Sequence, residues 1–148
     1  MSFDTLARPV HILLVEDNFG DIRLTQEILK DSKIHNNLLI AHNGEEALTY
    51  LNGQAEHSNA VRPDLIMLDL NLPKKGGLEV LAQIKKDPEL KRIPVVVLTS
   101  SKAEEDILKT YNLHANCYIT KPVDLEQFCA VVKSIESFWL AIVKLPSE

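Results

Sequence analysis

The chain lacks the marks of several protein classes. No apolar run approaches the roughly 20 residues that a membrane-spanning helix needs, and the stretch from Met1 to Pro9 has no apolar signal core. A cytoplasmic location is therefore expected. Basic residues never gather. The longest cationic cluster is only a pair, as at Lys74-Lys75 and Lys85-Lys86, and the formal net charge is −5. That balance gives no footprint for nucleic acid. Cysteine is scarce too: Cys117 and Cys129 form no Cys-x-x-Cys pair. His114 stands three residues before Cys117 but has no second ligand pair beside it, so no zinc site is expected. Both thiols read as reduced and buried. Internal repeats and low-complexity tracts are also missing.

What is there fits one domain of ordinary size. The chain has 148 residues, of which 45% are hydrophobic, enough for a substantial core. Apolar runs alternate with amphipathic stretches. Residues 10–15, 37–42, 64–70, 93–99 and 115–120 read as strands, largely apolar, as strands buried on both faces are. Between them, Ile22, Leu24, Ile28 and Leu29 mark a helix over 19–30, with caps offered by Asp17-Asn18. Asn43 to Glu46 opens a second helix with Ala47, Leu48 and Leu51. Leu78, Val80, Leu81 and Ile84 mark a third, ending near Asp87-Pro88. Ser100-Ser101 caps a fourth over 103–113, and Asp124 caps the last. Residues 52–63 and 72–77 read as loops, the second because proline and paired glycines break both helix and strand. Each crossover is long enough for a right-handed βαβ unit. The expected fold is α/β: a doubly wound, five-stranded parallel sheet with a C-terminal helical extension.

The polar residues at the ends of four of these strands carry the chemistry. Glu16-Asp17 follows the first run, Asp69 ends the third, Thr99 ends the fourth and Lys121 follows the fifth. Ligands of open parallel sheets bind at the C-terminal strand edge, so these side chains are expected to meet there. Three carboxylates suit a hard cation such as Mg²⁺, with a backbone carbonyl near Asn71 as a further ligand. Carboxylates clustered in this way need counter-charge, which the cation and Lys121 supply. Asp69, on the middle strand, is the candidate nucleophile; attack on phosphorus would give an acyl phosphate. Thr99 can donate to a phosphoryl oxygen, and positioning and electrostatics would carry the reaction. Singly, each residue is an ordinary strand terminator or cap; the pattern lies in the set.

These segments, Leu14 to Asn18, Leu68 to Pro73, Val97 to Ser100 and Tyr118 to Pro122, resemble in order and spacing those of a two-component response regulator receiver domain. The resemblance covers about residues 10–137, leaving a tail at 1–9 and an extension at 138–148. It implies a flavodoxin-like strand order, 2-1-3-4-5, with Asp69 accepting a phosphoryl group from a sensor histidine kinase. It implies that Glu16, Asp17, Asp69 and the Asn71 carbonyl bind Mg²⁺, that Thr99 and Lys121 contact the phosphoryl group, and that Thr99 and Tyr118 form a switch pair. It also implies a cis Lys121–Pro122 bond and a chain that assists its own phosphorylation and dephosphorylation without being an enzyme. Gly76 departs from the family, which often has aspartate there. More narrowly, the loop at 52–63, Leu72 to Lys75, Leu113 to Tyr118 and Ile135 to Leu140 resemble the response regulators of cyanobacterial phytochromes, so the kinase partner is expected to be a phytochrome.

Phe128, Val132, Ile135 and Trp139 recur at helical spacing, but Phe138, Leu140, Ala141, Ile142, Val143 and Leu145 leave almost no polar face. A helix apolar all round needs cover on every side, so Phe138, Trp139 and Ile142 are expected at an interface, in the simplest case a two-fold homodimer. Two other functions compete. A haloacid-dehalogenase-type phosphatase usually has a second aspartate two residues after its nucleophile, where this chain has Asn71. A degenerate receiver, working only as an interaction module, would not need the full acceptor set. No output domain is seen before Glu148, so the signal is expected to pass by protein contact.

Overall fold

In the computed structural model of the chain, the described residues are 9–31, 35–53, 62–72, 76–104, 106 and 117–134. Strands β1 (Val10–Val15), β2 (Asn36–Ala41), β3 (Leu65–Asp69), β4 (Val95–Thr99) and β5 (Cys117–Thr120) form one sheet in the order β2-β1-β3-β4-β5. Every pairing is parallel. This is the doubly wound, flavodoxin-like arrangement. Helices α1 (Phe19–Asp31), α2 (Gly44–Leu51), α3 (Gly77–Lys86) and α4 (Leu125–Ser134) connect or follow the strands, and a 3-10 turn spans Leu90–Arg92. A further helical stretch begins at Lys102. Among the described residues, no helix is long and apolar enough to cross a membrane.

Two cores, one on each sheet face, explain the continuous apolar runs. Leu13, Val15, Ile66, Leu68, Val95 and Val97 pack with Ala47 and Leu48 of α2 and with Val80, Leu81 and Ile84 of α3. The alternate residues Ile12, Leu14, Leu65, Met67, Val96 and Leu98 pack with Ile22, Ile28 and Leu29 of α1 and Phe128 of α4. Successive strand residues point to opposite faces, so a strand covered on both sides is apolar at every position. β3 and β4 are buried throughout, whereas β2, at the edge, alternates between half-buried and exposed.

The helix starts follow local chemistry. Asn18 Oδ1 accepts from the Asp21 N–H at 2.9 Å, Asn43 Oδ1 from Glu46 N–H at 2.8 Å, and Asp124 Oδ1 from Gln127 N–H at 2.7 Å. Each satisfies a backbone donor of the first turn that has no intrahelical partner. Several local details differ from the sequence reading, among them the ends of β3 and β4, which are shorter than 64–70 and 93–99. β2 begins and ends one residue earlier than 37–42. The 3-10 turn, unforeseen, is nucleated by Asp87 Oδ1, which accepts from Glu89 and Leu90. Gly77, read as loop, is the first residue of α3. A Cβ at Gly77 would collide with the Asp69 carbonyl and stand 2.6 Å from Leu70 Cα. Only glycine lets α3 start against the end of β3, which fixes the loop that leaves Asp69. Cys117 is half-buried rather than buried. The tail at 1–8, the extension at 138–148 and the interface candidates Phe138, Trp139 and Ile142 lie outside the described residues.

Candidate functional site

Parallel register brings the strand ends level. Val15 pairs with Leu68, Asp69 with Leu98, and Thr99 with Thr120. The residues at or just past these positions are Glu16, Asp69, Thr99 and Lys121, so they share one edge of the sheet. Alternation divides them between its faces. Asp69 continues the Leu65, Met67 series toward the α1 side. Thr99 continues the Val95, Val97 series toward the α2 and α3 side, as does Tyr118, which pairs with Val97 and packs on that core.

On the α1 side, one ammonium is held by three carboxylates. Lys121 Nζ lies 3.1 Å from Glu16 Oε1, 3.0 Å from Asp21 Oδ2 and 3.1 Å from Asp69 Oδ2. Glu16 is 1% exposed and Asp69 2%. The other Asp69 oxygen, Oδ1, accepts from the Asn71 N–H at 3.0 Å. Asn71 Nδ2 in turn donates to Ser100 Oγ at 3.0 Å, which joins the loops after β3 and β4. The Lys121–Pro122 peptide is cis, and Lys121 N donates to Thr99 O at 2.7 Å.

Carboxylate oxygens of Glu16, Asp17 and Asp69 lie within 4.8 Å of one another, with Asp17 exposed and the other two buried. This all-oxygen set suits a hard divalent cation that keeps part of its water shell. Glu16 Oε1 is buried and lies 3.1 Å from the ammonium without hydrogen-bond alignment. Thr99 Oγ1 is fully buried and has no hydrogen-bond partner either. A buried hydroxyl without a partner costs about 1–3 kcal/mol, and an incoming anion would recover it.

Burial first, and then Asp69, push Glu16 up to about 8 against the pull of Lys121. Burial disfavours the Lys121 charge, but Asp21, Asp69 and Glu16 outweigh it and raise its pKa. Metal-free protein therefore keeps a proton on Glu16 that the unfolded chain releases above about pH 4.5. The folded state binds more protons over that range, so stability falls as pH rises from about 4.5 to about 8. A divalent cation competes with this proton. Melting curves should show Tm falling across that window without metal, and Mg²⁺ raising Tm more above pH 8 than near pH 6. At a hundredfold excess over Kd the gain is about 2.7 kcal/mol. A Tm flat with pH, or a pH-independent Mg²⁺ increment, would contradict the assignment of the proton to Glu16.

The structure thus brings together Glu16, Asp17, Asp69, Asn71, Thr99 and Lys121, with Tyr118 one diagonal step from Thr99. Sequence reasoning missed Asp21. Its only signal was an acid in the first turn of a helix that opens at this edge, a position any helix favours.

The sequence pattern of the response regulator receiver domain matches residues 12–133. The chain is 55% identical over 139 residues to the response regulator Rcp1 of Synechocystis, covering 94% of this chain and 95% of that one. It resembles the crystal structure of a phosphorylated cyanobacterial phytochrome response regulator, RcpA, with a TM-score of 0.75 and 56% identity over 90% of this chain and 96% of that one. It also resembles the Mn²⁺-bound form of Rcp1, with a TM-score of 0.73 and 54% identity over 92% and 98%.

Proposed function

This chain belongs to the response regulator receiver family, and from that premise we propose that Asp69 accepts a phosphoryl group from a phosphohistidine on a sensor histidine kinase. An Asp69 oxygen attacks phosphorus. A P–O bond forms, the P–N bond breaks, and its electron pair leaves on the imidazole, which takes up a proton. The observation that carries this reading is the buried Asp69 carboxylate, 3.1 Å from the Lys121 ammonium, at the same sheet edge as the partnerless Thr99 hydroxyl.

Glu16, Asp17, Asp69 and the Asn71 carbonyl would hold Mg²⁺, which when bound neutralises charge on the transferring oxygens. Lys121 turns a donor from Asp69 to a phosphoryl oxygen as the Asp69 charge is spent on the new bond. Thr99 gives its hydroxyl to another, and that movement opens space on the α3 side, where the half-buried Tyr118 ring is the neighbour. Tyr118 thereby reports the modification to the protein surface. The same groups serve hydrolysis of the acyl phosphate, so the chain assists both steps on itself and turns over no external substrate. The likeness to Rcp1 and to the phytochrome regulator RcpA supports a phytochrome as the kinase, with output by protein contact in the cytoplasm.

The test is intact mass after incubation with a small phosphodonor and Mg²⁺, followed by mapping of the adduct. One phosphoryl group on the peptide that contains Asp69 is expected; a chelator should prevent it. An adduct elsewhere, or none, rejects the reading. A homodimer through Phe138, Trp139 and Ile142 belongs to the same proposal. Light scattering should give twice the chain mass, more completely after phosphorylation; a monomer in both states would exclude it.

A further inference from the structure

An ammonium group has three donors, and here they face three carboxylates. Two of these belong to the proposed reaction. Glu16 is among the carboxylates that converge for a cation, and Asp69 is the acceptor. Asp21 is in neither set. It comes from the first turn of α1, where its own N–H is fixed by Asn18 Oδ1, and its carboxylate receives a hydrogen bond from Lys121 Nζ at 3.0 Å, across 100 residues of sequence. Its side chain is 34% exposed, against 1% for Glu16 and 2% for Asp69.

We infer that Asp21 is a positioning residue for phosphoryl transfer, acting through Lys121. This rests on the reading of Asp69 as acceptor. When the acyl phosphate forms, the Asp69 oxygen loses its formal charge. When a cation is held at the edge, the charge of Glu16 is shared with it. Two of the three partners of Lys121 are thus weakened during the reaction, while a cation repels the ammonium from the same side. Asp21 alone keeps its full charge and its contact. It tethers the ammonium beside the acceptor, so that the freed donors point at the phosphoryl oxygens instead of at water. Without it, the four-carbon stem regains rotamers that carry the charge into solvent.

The pair is partly exposed, so its effect is moderate: pairs of this kind are worth up to about 1 kcal/mol, or roughly fivefold in rate. The full chain is compared as wild type, Asp21→Asn, Asp21→Glu and Asp69→Asn. Each is incubated with phosphoramidate at saturating Mg²⁺, and the adduct is followed by intact mass against donor concentration. Asp21→Asn should lower the limiting rate about three- to fivefold, with the half-saturating donor concentration unchanged and Tm lower by no more than about 2–4 °C. Asp21→Glu, which keeps the carboxylate, should recover most of that loss. Added salt should narrow the gap between wild type and Asp21→Asn, because an exposed pair is screened. A wild-type rate in Asp21→Asn overturns the inference, and so does an Asp21→Glu variant as slow as the amide. No adduct on wild type, or an equal adduct on Asp69→Asn, would instead overturn the acceptor reading beneath it.

Discussion

Asp69→Asn takes up no phosphoryl group, while wild type treated alongside gains one per chain. The substitution preserves shape and loses only the charged nucleophile. The amide oxygen can still accept from the Asn71 N–H, which lies 3.0 Å from Asp69 Oδ1, and the amide fills the same 2%-exposed position. Folding should therefore survive. Stability should be unchanged or raised, because the substitution removes the Asp69 charge that adds to burial in pushing Glu16 up to about 8. Reactivity should not survive. A carboxamide oxygen is too weak a nucleophile toward phosphorus to replace a carboxylate, and loss of a covalent nucleophile commonly costs at least about a thousandfold. Intact mass with a small phosphodonor and Mg²⁺ reads the result directly. Equal labelling of both proteins would move the acceptor elsewhere.

Lys121→Met has the next largest effect, and it acts on two levels. Methionine keeps most of the aliphatic stem but removes the ammonium. Transfer from the same donor should slow about 100- to 1000-fold, the usual loss when a group aimed at developing charge is removed. Stability should fall as well. Glu16, Asp21 and Asp69 lose the cation that stands 3.0 to 3.1 Å from each. Breaking a buried ion pair costs about 3–5 kcal/mol. Lys121 is 18% exposed and water reaches it, so about 2–3 kcal/mol is the expected loss, several degrees of Tm. Mg²⁺ should return much of that stability without returning the rate, since a cation replaces the missing charge at Glu16 and Asp69 but not the donor at the phosphoryl oxygen. A variant that transfers at the wild-type rate would remove Lys121 from the chemistry.

Much of the fold was legible because its signals are local. Unbroken apolar strands such as Leu65 to Leu68 announced burial on both faces. Asn18, Asn43 and Asp124 announced helix starts, and each is found capping one. The site was legible for a related reason: polar residues that end apolar runs stand out, and parallel strands bring their ends to one edge. Elements set by close approach were harder to read. Gly77 looked like a loop glycine, and nothing near it in the sequence says that Asp69 and Leu70 backbone atoms would crowd any Cβ placed there. The 3-10 turn at Leu90–Arg92 is too short to have a periodicity.

The sequence by itself determined which residues end the strands and that they are carboxylates, a hydroxyl and an amine, because strand periodicity and side-chain chemistry are properties of neighbours along the chain. Only the tertiary structure decided how they are grouped. With β1 between β2 and β3, α1 covers the sheet face to which Asp69 points, while Thr99 and Tyr118 face α2 and α3. That arrangement gives Lys121 a third carboxylate, Asp21, from a helix 100 residues away. Contacts at such separation depend on which faces pack together, and no local pattern records that choice.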